Sequence, residues 1–294
     1  MHQPVLLTES LEYLLTHQQG HYLDATFGRG GHSKAIMAQL SADGLLSVCD
    51  RDSSAIEVAK SIPDHRLKAY HCNYSEVFNF LPNASLDGIL ADFGICSAQL
   101  DNPARGFSFM QEGPLDMRMN QNDSMTLKQL LSTVKEKDLA DMIYQFGEEK
   151  LSRRIARTII ERFKANLINS TKDLAQCAID CYPKNSPKHP ATRLFQALRI
   201  AVNAEFDHLK TFLEKAPLFL KDGGRLVLIT FHSLEYTMVK QALNHQYDDF
   251  RHGRRSYAMK RVVHPLEPSV QEAAENPRSR SARLHVYQKI SQLL

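Results

Sequence analysis

No stretch of this 294-residue chain approaches the roughly 18 uninterrupted apolar residues of a membrane-spanning helix, which excludes that class of fold. The opening residues, MHQPVLLTES, lack the basic flank and long apolar run of a secretion signal, so a cytoplasmic protein without a membrane partner is expected. Cysteine is scarce: five residues, Cys49, Cys72, Cys96, Cys177 and Cys181, odd in number and set among apolar neighbours. That pattern suits reduced thiols and excludes a disulfide framework. Cys177 and Cys181 stand four apart on an expected helix, but no further His or Cys pair completes a zinc set, so no metal is expected. There is no internal repeat and no low-complexity segment. What is present is an ordinary globular composition, 43% hydrophobic and 23% charged, enough for one large or two modest domains with a core that needs no crosslinks.

The formal net charge of +3 conceals a gradient. Residues 1–103 carry 6 Lys+Arg against 12 Asp+Glu, residues 104–190 carry 14 against 11, residues 191–250 are balanced at 7 each, and residues 251–294 carry 9 against 3. In the last segment, RHGRR (251–255) and NPRSRSARL (276–284) set arginines among Ser, Asn and Gly, side chains that also bond phosphate oxygens. This end of the chain suits a nucleic acid, or else is a solvated charged face.

Strand and helix signals alternate through the first hundred residues. YLDATF (22–27) reads as a strand entering a glycine turn, followed by a helix over 33–40. LLSVCD (45–50), a helix over 53–61, LKAYHC (67–72), a short helix near 75–81 and LDGILADFG (86–94) follow. The alternation implies βαβ units and a parallel sheet covered on both faces. From about 103 to 190 no strand is evident, and apolar residues recur at three and four spacing behind Ser or Thr caps. The expected organisation is a discontinuous sheet domain over 1–103 and 191–294 with a helical domain, 104–190, inserted for substrate recognition. A single long helix over 194–220 should lead back to the buried strand GGRLVLITFHS (223–233). A helix over 234–245 and strands near 257–263 and 283–290 should complete the sheet.

In an open parallel sheet, ligands bind beyond the carboxyl ends of the strands. The residues there are Gly28, Gly30, Gly31 and His32 after the first strand, Asp50 after the second, Asn73 and Tyr74 after the third, Asp92 after the fourth and His232 after the fifth. A glycine turn at a helix N-terminus is a ready ligand site, although a tight turn needs glycine whether or not anything binds. Asp50, about 20 residues past the turn, is placed to accept both ribose hydroxyls of an adenosine, or to cap the helix beginning near Ser53. A dinucleotide needs G-x-G-x-x-G to seat its pyrophosphate. FGRGGHS lacks the last glycine, which favours S-adenosylmethionine, a donor with no phosphate.

Ten blocks then fall in order along essentially the whole chain: HQPVLLTE (2–9), DATFGRGGHS (24–33), DRD (50–52), SAQLD (97–101), RGFSF (105–109), GPLDMRM (113–119), FGEE (146–149), HPATRLFQALRI (189–200), FHSLE (231–235) and NPRSRSARL (276–284). Together they resemble the RsmH (MraW) family of bacterial 16S ribosomal RNA cytosine-N(4) methyltransferases. The resemblance implies a Rossmann-like class I S-adenosylmethionine-dependent methyltransferase fold with an inserted all-helical domain. It implies methyl transfer to the exocyclic amino group of a cytosine in the decoding region of 16S ribosomal RNA, within the small ribosomal subunit, and it allows a homodimer. It also implies cofactor contacts at Gly30, Gly31, His32, Asp50, Tyr74, Asp92 and Gln99. Arg118 and Arg193, within two of the blocks, and His232 are the substrate-binding candidates, His232 being equally readable as a hydrogen-bonded structural histidine.

The chain departs from the family in two loops. DFGICSAQLD has Cys96 and Ala98 where the family has a serine and a proline, and FHSLEY with Thr237 replaces the family's FHSLED followed by arginine. Cys96 raises a carbon-5 cytosine methyltransferase as an alternative, although no Pro-Cys pair accompanies it. The drifted loops raise a non-catalytic RNA-binding assembly factor as another. The group that takes the proton from the amino nitrogen is left unassigned.

Overall fold

The computed structural model describes residues 4–183 and 189–291. Seven strands are present: β1 (His21–Asp24), β2 (Leu45–Asp50), β3 (Leu67–His71), β4 (Leu86–Asp92), β5 (Leu220–Thr230), β6 (Tyr257–Arg261) and β7 (Arg283–Ser291). They form one sheet in the order β3-β2-β1-β4-β5-β7-β6, parallel throughout except β7, which runs against both neighbours. The order reverses at β1, so the crevice between the ends of β1 and β4 is the topological switch point.

The strands are hydrophobic on both faces because both are covered. Ile89, Ala91, Leu226 and Leu228 share a core with Phe212, Leu213, Val239 and Leu243, whereas Leu90, Val227, Ile229, Leu284 and Val286 pack with Leu14, Ile36 and Leu40. Residues alternating along β4 and β5 thus point to opposite layers, the period of two that defines a strand. No helix among the described residues is long and apolar enough to cross a membrane.

The chain divides into two compact units, the sheet unit just described, up to Gly94 and again from Phe206, and a helical unit over Ile95–Glu205. The helical unit is therefore wider than the expected 104–190. Its core, including Leu139, Ile143, Ile155, Ile159 and Leu174, also takes in Leu194, Phe195 and Leu198 of the helix Ala191–Asn203, with Ile95 and Leu100 packed against it. Gly147 lets that helix approach closely, since a Cβ there would lie 2.5 Å from the Arg193 carbonyl oxygen. No strand occurs among its described residues. Two of its helices start where the sequence signals them: Thr126 with Gln129, and Ser170 with Asp173, form reciprocal capping boxes.

The single helix expected over 194–220 is instead two, Ala191–Asn203 and Glu205–Phe219. Ala204 takes left-handed backbone angles, φ 49° and ψ 39°, and ends the first. The break is fastened by side chains. Asn203 donates to the carbonyls of Met117 and Arg199, accepts from the Met119 N–H, and Arg199 clamps Glu205 through two bonds of 2.8 and 2.9 Å. The helices Leu7–Leu14 and Val270–Glu275 were not anticipated from the sequence.

Candidate cofactor site

The turn after β1 bonds alternately to the strands on either side. Ala25 N–H donates to the Leu90 carbonyl of β4, and Phe27 N–H to the Cys49 carbonyl of β2. Thr26 Oγ1 accepts the Asp92 N–H at 2.7 Å, and Gly28 N–H donates to Asp50 Oδ2 at 2.8 Å. The four residues 25–28 therefore fix the carboxyl ends of three strands relative to each other. Gly30, at φ 75°, caps the helix Gly31–Gln39, and a Cβ there would meet the Phe27 ring at 2.7 Å. The first-turn N–H groups of this helix, which have no intrahelical acceptor, open on the same end of the sheet.

Three carboxyls converge on this turn. Asp24 is buried, accepting from Thr26 N–H at 3.1 Å and from the Ser33 hydroxyl at 2.5 Å, and burial raises its pKa. Asp50 accepts from Gly28 and Asp52 N–H groups, and burial pushes it to about 6 despite those bonds. Asp92 is pushed well above the ordinary range by burial and then by the charges of Asp24 and Glu235, and its Oδ1 is enclosed without a hydrogen-bond partner. Among the described residues none of these three aspartates has a salt-bridge partner. The choice left open for Asp50 is settled in part: the residue that caps the helix Ser53–Lys60 is Asp52, whose Oδ1 accepts the Ser54 N–H at 3.0 Å.

The remaining candidates are placed as follows. Tyr74 lies just beyond β3, two residues past Cys72, whose N–H donates to the Asp50 carbonyl at 3.1 Å. His32 is buried with Nε2 3.1 Å from the Val5 carbonyl, and burial lowers its pKa to about 4, so its imidazole is a neutral structural group and only its backbone faces the turn. His232 caps the helix Ser233–Arg251, its Nδ1 accepting the Glu235 N–H at 3.4 Å and its Nε2 lying 3.1 Å from Glu235 Oε1. Gln99, Arg118 and Arg193 belong to the helical unit. Gln99 is buried, its Oε1 accepting the Cys96 N–H at 3.3 Å, while the Cys96 sulfur accepts the Gln99 N–H in return. Arg118 directs four N–H bonds into its own loop, to both oxygens of Asp116 and to the carbonyls of Gln121 and Asp123. Its guanidinium organises that loop, which leaves little of it for a ligand. Arg193 is exposed.

Asp24, Thr26 and Glu235 surround the same turn: Thr26 bonds both Asp24 and Asp92, and the charges of Asp24 and Glu235 act on Asp92. Glu235 is 3% exposed and accepts the Phe231 N–H at 2.7 Å. A lone aspartate inside the apolar run YLDATF was the available signal.

The model of the MraW methylase family matches residues 1–290. The chain belongs to that family. It is 45% identical over 305 residues to a protein named ribosomal RNA small subunit methyltransferase H from Pseudoalteromonas atlantica, covering 98% of each chain. A protein of the same name from Hydrogenovibrio crunogenus is 45% identical over 303 residues, covering 98% of this chain and 96% of that one. Among solved structures, an S-adenosylmethionine-dependent O-methyltransferase from Thermotoga maritima aligns with a TM-score of 0.44 at 9% identity, over 100% of this chain and 69% of that one.

The methyl donor of this MraW methylase is S-adenosylmethionine. The residues present fit that group. The donor carries a positive sulfur and an ammonium against one carboxylate. Asp92 Oδ1, enclosed and without a partner, is an acceptor that a donor group of this ligand would satisfy.

Proposed function

We propose that this methylase transfers a methyl group from S-adenosylmethionine to the exocyclic amino group of a cytosine in the decoding region of 16S ribosomal RNA, acting on the small ribosomal subunit. The observation that carries the reading is the cluster of buried carboxyls at the switch point, with Asp92 Oδ1 lacking a partner, in a chain whose relatives are named ribosomal RNA small subunit methyltransferase H.

Asp50 would accept the ribose hydroxyls, with Gly28 and Asp52 N–H groups holding its carboxylate in place. Gly30, Gly31 and the backbone of His32 would border the donor at the helix N-terminus, Tyr74 would flank it, and the Asp92 carboxyl, whose Oδ1 lacks a partner, would accept from one of its donor groups. The bound donor supplies a methyl group already activated by positive sulfur, so the transfer calls for positioning and a route for one proton, not for a protein nucleophile. The cytosine amino nitrogen shares its lone pair with the ring. Acceptors on its N–H groups would turn that lone pair toward the methyl group, opposite the departing sulfur. The base must leave its stack to reach a cleft, which suits a single-stranded RNA segment whose phosphates meet the basic C-terminal segment.

The test is to incubate the protein and labelled donor with small subunits, and with naked RNA, from a strain lacking the modification, and then to identify the methylated nucleoside. N4-methylcytidine is the expected product. Carbon-5 methylcytidine would transfer the chemistry to Cys96, and no labelling of either substrate would leave an assembly factor. Cys96→Ser is expected to stay active, since the sulfur here serves as a helix-capping acceptor.

A further inference from the structure

Tyr74 stands in an aromatic box. Its ring makes edge contacts with Phe93 at 5.6 Å, with Phe212 at 5.5 Å and an interplanar angle of 90°, and with His208 at 6.4 Å and 77°. Phe93 and Phe212 are apolar core residues. His208, in the first turn of the helix Glu205–Phe219, is not, and its Nδ1 lies 3.0 Å from the hydroxyl of Ser75. Ser75 is 3% exposed, and its N–H donates to Asn73 Oδ1 at 3.0 Å. The turn that carries Tyr74 is thus pinned from within by Asn73 and from outside by His208.

A phenylalanine at 208 would fill the same wall of the box without desolvating a polar ring, which is costly unless the ring makes a directed bond. A directed bond of this ring goes to the residue next to Tyr74. An imidazole that touches both the Tyr74 ring and the Ser75 hydroxyl couples the side-chain orientation of Tyr74 to the backbone of its own turn. We propose that His208 is a positioning residue for the methyl donor. It holds Tyr74 in the orientation that receives the donor, without touching the donor itself, and this rests on Tyr74 being a donor contact. The benefit is preorganisation: a tyrosine free to change rotamer must be ordered on binding, whereas a pinned one is ready.

The experiment is calorimetric titration of the full chain with S-adenosylhomocysteine for His208→Phe, Ser75→Ala, the double variant, His208→Gln and Tyr74→Ala, each with a melting curve. His208→Phe keeps the ring and deletes the bond; His208→Gln retains an amide able to bond Ser75. Each of His208→Phe and Ser75→Ala is expected to weaken binding about three- to tenfold, the range of one lost hydrogen bond. The double variant should be no weaker than either single, because both remove the same contact. His208→Gln should recover most of the affinity, and melting temperatures should stay within a few degrees. Unchanged affinity in His208→Phe, with a loss in Tyr74→Ala, overturns the proposal and leaves Tyr74 as a donor contact. No loss in Tyr74→Ala overturns the reading of Tyr74, and the proposal with it. Additive losses, or no recovery with Gln, also overturn it. If His208→Phe does not fold, Ser75→Ala and His208→Gln decide.

Discussion

Asp92 ends β4 with one oxygen enclosed and unbonded, beside two other acids. Its folded-state pKa lies above the unfolded value of 3.8, so the native state holds an extra proton between the two, and stability is lost as pH rises through that window. Asp92→Asn abolishes that cost. It is expected to melt a few degrees higher than the parent at pH 8, with the advantage gone near pH 4, and to lose its stabilisation by S-adenosylmethionine. A variant no more stable at pH 8 would show that the carboxyl is not strained by burial. Asp50 gives the matching prediction for binding. Ribose hydroxyls favour an ionised acceptor, so donor affinity should fall as pH drops below about 6, where Asp50 titrates, by roughly tenfold per pH unit, and Asp50→Asn should flatten that dependence. Asp50 could be found from the sequence because a strand-ending acid follows the glycine turn at a characteristic distance. Asp24 shows only as an acid interrupting an apolar run, and Glu235 reads as a helix-start acid; only three-dimensional proximity makes them one cluster. Arg118 is a substrate-binding candidate because it lies in the block GPLDMRM. Its partners at Asp116, Gln121 and Asp123 exist only once the loop has folded.

Between residues and the whole lie the breaks and caps of the elements. Every expected strand is present, β2 to the residue; for β2, β4 and β5, burial on both faces leaves near-continuous apolar runs that local composition displays. The expected helix over 194–220 failed for an equally local reason. Amphipathic periodicity continues across position 204, and neither Gly nor Pro marks the left-handed residue that divides it. Ala in that conformation costs roughly 1 kcal/mol that glycine does not incur. Ala204→Gly is therefore expected to stabilise the protein by about 0.5–1 kcal/mol in a denaturant titration, with the slope unchanged. A destabilised variant would mean that the clamps from Asn203 and Arg199, rather than the backbone of residue 204, set the break.

At the scale of the whole molecule, the basic C-terminal segment divides into two kinds of arginine. Arg278 and Arg280 are exposed on the short turn Pro277–Ser281, whereas Arg283 is half-buried at the start of β7 and paired with Glu267 at 3.0 Å. Replacing Arg278 and Arg280 together by Gln is expected to reduce the slope of log K for RNA against log salt by about 1 to 2, leaving the melting temperature and donor binding alone. An unchanged slope would make this a solvated face. Arg283→Gln should instead lower the melting temperature. The insertion of a helical unit into the sheet has a consequence for how the chain is made. The innermost strand, β4, pairs on one side with β1, but its other partner is β5, with Leu90 opposite Val227. On a ribosome adding about 5–20 residues per second, the open edge of a fully buried strand waits on the order of ten seconds for that partner. The helices emerge in the meantime and can fold on local contacts, but they cannot close that edge. Chains released early, before residue 220, therefore carry an unprotected apolar edge, and aggregation of such fragments, absent from the full-length protein, is the expected mark of this topology.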